Sequence, residues 1–308
     1  MRGVAAVGIC VVAIAAGAAF AAGEGQPGPA AAGPTAAASD EAGLARADAA
    51  GVGSVSPYRA AVRIARVGAR PAGGRGERRA HAWAARRFSA AGLDVVITGF
   101  RVPGRGRSRN VIGILDRPRD CLWILMAHID GVPPGQGAND NASGVGTLIA
   151  LAPKVRRLRP ACDVWLVATG AEERVVIGTG YHVGAAALAK RVKRKGRARD
   201  LRFALSVDMV GRGKRFYLRS PHSGVRKVVE RRVLAAARRA KVRVNWERDS
   251  GTGNSDHREF ELAGLPAMVI QVWRGHDPCH HAPCDRTERL QKDALNRVTR
   301  VLFELLRG

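Results

Sequence analysis

The chain is expected to form one α/β domain, a mostly parallel central sheet with helices on both faces. Three observations lead there. Runs of five to seven largely apolar residues, at 121–127, 163–168, 203–207 and 267–273, alternate with stretches of helical composition. Continuous apolar runs mark strands buried on both faces, the situation of parallel strands covered by helices. Finally, His128, the pair Glu172-Glu173, Asp208 and His281 each lie on or beyond the end of such a run. Open α/β sheets collect their ligands beyond the carboxyl ends of the strands.

Taken in order, residues 1–21 read as an export signal: Arg2, an apolar stretch from Val4 to Ala19, and the small-residue site Ala19-Phe20-Ala21. The apolar stretch is too short and too rich in Ala and Gly for a membrane span, so no transmembrane segment is expected in the mature form. Residues 22–53 are almost free of large apolar side chains and form a linker or pro-segment, because they cannot bury enough surface to offset ordering. The folded domain occupies 54–308.

Helical spacing covers 58–67 and 77–91, the second ended by Gly92. Strands at 93–98 and 110–115 follow, joined by the basic, Gly-rich turn 103–108, and then the strand ending at Ala127. Residues 143–158 have helix composition, with Ser143 placed to cap it after Asn139-Asp140-Asn141. The strand to Ala168 leads through Gly178-Thr-Gly-Tyr181 into a helix that runs on into a basic stretch. The strand 203–207, a hairpin-like segment 214–219, a helix 225–241, a short helix from Asp256, the strand to Trp273 and a helix 290–306 complete the chain.

Fifty-one Lys and Arg against 26 Asp and Glu give a net charge of +25. The densest run, Lys190 to Arg202, holds eight basic residues, but the remainder are scattered over every helical stretch. Without interleaved aromatics, this pattern excludes specific nucleic-acid stacking and fits loose association with acidic cell-surface polymers. Four cysteines remain beyond the signal, an even number in an exported chain, so disulfides are expected. The favoured pairing is Cys279 with Cys284 and Cys121 with Cys162, the latter joining the starts of two strands. A zinc knot of Cys279, His280, His281 and Cys284 crowds adjacent ligands into a geometry that tetrahedral zinc rarely accepts.

Two histidines with several carboxylates, and no thiolate, suit zinc bound through nitrogen and oxygen. A bridging carboxylate can hold two such ions about 3.5–4 Å apart, the clamp used in metal-assisted hydrolysis. Asp140 is the expected bridge, in the turn Gly137-Ala-Asn-Asp-Asn-Ala-Ser-Gly144, whose residues tolerate tight backbone geometry. His128 and Asp208 are expected to complete one ion, Glu173 and His281 the other. Asp130 would accept the second N–H of His128. Adjacent acids in an extended segment face opposite sides, so Glu173 ligates while Glu172 serves as general base.

The segments His128-Ile-Asp130, Gly137 to Gly144, Gly170-Ala-Glu-Glu173, Val207-Asp-Met-Val-Gly211, Ser255-Asp-His257, Gly264-Leu-Pro266 and Asp277-Pro-Cys-His-His-Ala-Pro-Cys-Asp285 resemble, in this order, the secreted co-catalytic zinc aminopeptidases of the bacterial leucine-aminopeptidase type. Glutaminyl cyclases and glutamate carboxypeptidases are relatives. The resemblance spans roughly Gly74 to the C-terminus. It implies His128, Asp140, Glu173, Asp208 and His281 as metal ligands and Glu172 as base. This chain departs from the pattern at His280, where close relatives commonly carry a Tyr that helps hold the tetrahedral oxyanion; a neutral His280 imidazole could donate that bond. It departs again at Ile129, in place of an aromatic, and in a short 132–136 loop.

The expected activity is hydrolysis of N-terminal peptide bonds by an exported metallopeptidase, with peptides as substrates, two zinc ions per chain and a zinc-activated water. Cyclisation of N-terminal Gln and removal of acidic C-terminal residues are the alternatives on the same fold. A non-catalytic, basic surface-binding module is the alternative outside it.

Overall fold

The computed structural model describes residues 54–117, 119–173, 180–220, 227–249, 253–272 and 277–308. The signal and pro-segment expected at 1–53, the Gly178-Thr179 part of the fourth connection, the first residues of the helix expected from Val225 and the end of the strand expected at Trp273 lie outside them. The element bounds are α1 Pro57–Ala65, α2 Arg75–Ala90, β1 Asp94–Val102, β2 Gly106–Leu115, β3 Leu122–His128, α3 Ser143–Leu158, β4 Asp163–Thr169 and α4 Val183–Arg194. They continue with β5 Leu201–Val207, β6 Phe216–Ser220, α5 Lys227–Arg239, β7 Val244–Arg248, α6 His257–Leu262, β8 Ala267–Gln271 and α7 Lys292–Arg307.

Eight strands form one sheet in the order β1-β2-β4-β3-β5-β8-β6-β7. The middle four, β4, β3, β5 and β8, run parallel. Those strands carry the apolar runs, and every residue of β3, β4 and β8 is buried. Side-chain alternation divides β3 between two cores. Trp123, Leu125 and Ala127 face α1, α3 and α7 through residues such as Ile64, Leu148 and Val298. Leu122, Ile124 and Met126 face α4 and α6 through Leu188, Val192 and Phe260. With both faces covered, the polar groups that a parallel strand presents at its end are the ones left for chemistry.

The flanks differ from the sequence expectation. Residues 214–219 form no local hairpin. β6 runs antiparallel to β8 and parallel to β7, a strand absent from the sequence reading. β7 is Val-Asn-Trp-Glu-Arg at an edge with mostly half-buried residues, so it lacks the apolar run that revealed the inner strands. At the other flank β1 and β2 make a long antiparallel pair from Asp94–Ile114 to Val102–Gly106, extending well into the segment expected to be a turn. Disulfides join Cys121 to Cys162 and Cys279 to Cys284. The first ties the leading ends of β3 and β4, which are paired neighbours. Among the described residues no helix is long and apolar enough to cross a membrane.

Candidate metal centre

The centre sits beyond the carboxyl ends of β3, β4 and β5. His128 is the last residue of β3 and Asp208 the first after β5, its N–H donated to the Ile270 carbonyl of β8 at 3.0 Å. Beyond β4, the backbone N–H groups of Glu172 and Glu173 donate to the two carboxylate oxygens of Asp130, at 3.1 and 3.0 Å. One buried acid thus fixes the backbone from which two others project, each to its own histidine. The Glu172 Oε1 lies 3.2 Å from His182 Nε2, whereas Glu173 Oε1 lies 2.9 Å from His281 Nε2.

Asp140 is aimed by its neighbours. Asn139 Oδ1 accepts the Gly211 N–H at 2.9 Å, and Asn141 Nδ2 donates to the Val207 carbonyl at 2.9 Å. Both flanking amides therefore bind the turn to the end of β5, leaving the side chain between them free to enter the cluster. Gly137 opens the turn at φ 57°, and a Cβ there would come within 2.6 Å of the Asp140 carbonyl oxygen, so only glycine closes it. The Asp140–Asn141 peptide is cis. From the far side Asp285 accepts the N–H groups of Asn139 at 2.7 Å and Asp140 at 3.1 Å, locking the disulfide-bracketed 277–285 loop onto the same turn.

The two oxygens of Asp140 face different partners. Oδ1 lies 3.1 Å from His128 Nε2; Oδ2 lies 3.2 Å from both His280 Nε2 and His281 Nε2. Asp208 Oδ1 is 3.5 Å from His128 Nε2 and buried without a hydrogen-bond partner, while its Oδ2 accepts from the Ser255 hydroxyl at 2.8 Å. Three donor groups with metal-ligand spacing result among the described residues: His128, Asp140 and Glu173; His128, Glu172 and Asp208; Asp140, His280 and His281. Every residue singled out from the sequence for ligation or proton transfer is at this cluster. Asp130 differs in detail, since its Oδ1 is 3.6 Å from His128 Nδ1, beyond hydrogen-bond reach, and its main partners are the two backbone amides. Both thiols of the rival zinc knot are consumed by the Cys279–Cys284 disulfide.

The electrostatics fit a divalent cation. Four acids, Asp140, Glu172, Glu173 and Asp208, are at most 7% exposed. Burial pushes the Glu173 carboxyl up to about 8, with Asp140 and Glu172 alongside adding to the rise. Burial alone would also raise Asp140, but His128, His280 and His281 hold it well below the ordinary carboxylate range. His281 is pushed up to about 10 by Asp140 and Glu173. Buried like charges at this density require either protons or a cation. Nitrogen and carboxylate oxygen donors with one orphaned oxygen, and no thiolate, match zinc among the common ions.

Two supports were not legible in the sequence. Arg70 is 1% exposed and donates to the carbonyls of Ile129 at 2.7 Å, Gln136 at 2.6 Å and Gly137 at 2.9 Å, stitching both sides of the centre. His182 sits buried against Glu172, its N–H donated to the Glu172 carbonyl at 2.8 Å. Neither lies in a motif; their proximity comes from tertiary folding alone. A cavity of about 180 Å³ opens over the acids, walled by Tyr181, Met209, Asn254 and Gln271.

A model of peptidase family M28 matches residues 110–306. Among curated proteins, Aminopeptidase YwaD of Bacillus subtilis is 27% identical over 219 residues, which cover 65% of this chain and 45% of that protein. Leupeptin-inactivating enzyme 1 of Streptomyces exfoliatus is 29% identical over 238 residues, covering 68% and 50%. The chain thus spans about half the length of these relatives. In solved structures the fold matches BSAP, a zinc aminopeptidase from Bacillus subtilis, with a TM-score of 0.71 at 15% identity, over 81% of this chain and 93% of that one. It matches a Bacteroides thetaiotaomicron glutaminyl cyclase equally well, with a TM-score of 0.71 at 22% identity, over 84% and 98%.

Proposed function

The chain belongs to peptidase family M28, and on that premise we propose that it is an exported zinc aminopeptidase releasing N-terminal residues from peptides. The observation that carries this reading is the two-sided carboxylate of Asp140, whose oxygens face His128 on one side and His281 on the other. His128 and Asp208 would hold one zinc ion, Glu173 and His281 a second, with Asp140 between them. When bound, zinc supplies Lewis acidity, making water acidic enough to attack near neutral pH and polarising the carbonyl to be attacked.

The chain's own residues do the rest. Glu172 is buried beside His128 and Asp208, with its Oε1 against His182 while Glu173 faces His281. Its carboxylate takes the proton of the attacking water and returns it to the leaving amine. Asp130 keeps Glu172 in line by holding its backbone N–H. Two disulfides accord with an oxidising compartment and hence with export.

The test is a chelator-stripped chain, with and without restored zinc, offered aminoacyl peptides and peptides beginning with Gln. Zinc-dependent release of free N-terminal amino acids is expected. Ammonia with no amino acid would identify a cyclase instead, and release from the C-terminus a carboxypeptidase. Glu172→Gln should keep its metal and lose about 10²–10⁴ in turnover; a rate near that of the parent chain would move the proton transfer to another group.

A further inference from the structure

His280 stands where the resembling family commonly has Tyr, and its position gives it a different task. Its Nε2 lies 3.2 Å from Asp140 Oδ2, the same oxygen that His281 Nε2 approaches at 3.2 Å, while His281 Nε2 lies 2.9 Å from Glu173 Oε1. Ligand atoms around a tetrahedral zinc with bonds of about 2.0–2.1 Å are separated by roughly 3.3 Å along each edge. The two Asp140 separations are therefore close to edges of one coordination tetrahedron, and the donor atoms of Asp140, His280 and His281 all lie within 4.8 Å of one another; Glu173, against His281, stands next to that trio as the fourth candidate ligand.

Adjacent histidines normally diverge. Here His281 adopts a left-handed backbone at φ 53°, and the two imidazoles stack with centroids 3.8 Å apart and planes 28° from parallel. Two rings stacked so closely, both nitrogens turned to one oxygen, suit two lone pairs directed at a shared cation. The Cys279–Cys284 bridge and the Asp285 contacts hold the loop in that shape.

We propose that His280 is a metal ligand, so that Asp140, Glu173, His280 and His281 form a closed four-ligand site for one ion and leave the open positions to the ion of His128 and Asp208. This rests on the two-ion reading above and refines it. Sites with four protein ligands are structural in character, whereas catalytic zinc keeps an open position. The division places substrate and water on the His128 side, where Glu172 stands.

The experiment titrates zinc into the metal-free chain by calorimetry and records the visible spectrum of the cobalt-loaded protein, for the parent, His280→Phe and His280→Tyr. The proposal expects two sites in the parent. In both variants one of them should weaken by roughly 10–100-fold or more, the loss already seen when only an outer partner of a ligand is removed. The tetrahedral cobalt signal should fall in parallel. Parent-like affinities and spectra in both variants would overturn it, and turnover lost in His280→Phe but regained in His280→Tyr would then assign His280 to the oxyanion. Circular dichroism of the metal-free variants checks folding, and if His280→Phe is misfolded His280→Tyr alone decides. A parent chain that binds two ions yet cleaves no peptide would sink the proposed activity and leave this ligand assignment standing.

Discussion

Arg70 shows how much of the centre depends on a side chain that does no chemistry. Burial lowers its guanidinium to about 10, opposed by the nearby Asp130, Asp285, Asp140 and Glu173, so it stays charged at neutral pH. Replacing it with Met removes a buried cation and frees the carbonyls of Gly68, Ile129, Gln136 and Gly137, a change that costs about 3–5 kcal/mol when a buried ionic network is broken. Urea unfolding of the metal-free Arg70→Met chain should show that loss, and a drop below about 1 kcal/mol would mean the carbonyls find water instead. Asp140→Ala should lose both ions together, because each oxygen serves one side; a variant still carrying two zincs by metal analysis would end its role as the bridge. At this scale the sequence was legible where a donor group sits at a strand end, as at His128 and Asp208, which the fold brings into one cluster. It was silent for Arg70 and His182, which are brought in by packing from segments with no local signature.

The two disulfides belong to different elements and should fail differently. Cys121–Cys162 closes a 41-residue separation at the leading ends of β3 and β4, while His128 lies at the trailing end of β3. The chain-entropy estimate for a loop of that length is about 4 kcal/mol. The paired Cys121→Ser, Cys162→Ser variant is therefore expected to unfold at lower temperature, by about 2–4 °C per kcal/mol, with metal content intact by elemental analysis. Cys279–Cys284 closes only five residues but brackets His280 and His281. Its removal should cost about 2 kcal/mol and weaken zinc binding in a calorimetric titration; unchanged affinity would show that the Asp285 contacts suffice. The inner strands were readable because burial on both faces demands unbroken apolar runs. β7 escaped because this edge strand alternates polar and apolar residues, and β6 was placed in a local hairpin because its partners β7 and β8 come from distant sequence, which no local pattern reports.

For the whole molecule, one contribution to stability in acid comes from a residue outside every motif. His81 on α2 is 1% exposed, and burial, with Arg109 nearby, lowers it to about 4. The folded chain therefore holds it neutral while the unfolded chain binds a proton below about pH 6.5. Its contribution is present above that value and is lost as the pH falls towards 4. His81→Leu should gain up to about 3 kcal/mol relative to the parent between pH 6.5 and 4. Denaturant midpoints measured across that range check it, and parallel curves would show that His81 stays neutral in both states. Net charge, so prominent in the sequence, has less to say about architecture. Within the basic run Arg197 is committed to Asp163 at 2.8 Å and Asp200 at 2.6 Å, so part of that charge braces the entry to β5 instead of awaiting a partner.

The donors to the centre are dispersed along the chain from His128 to His281, and the 277–285 loop must dock on the Asp140 turn before the last imidazole arrives. During synthesis, then, a ribosome-bound chain with only its first strands in place would own half a cradle and no blade. Under the proposed activity the polypeptide stays harmless to neighbouring peptides until the segment carrying the last imidazole has emerged and closed the circle.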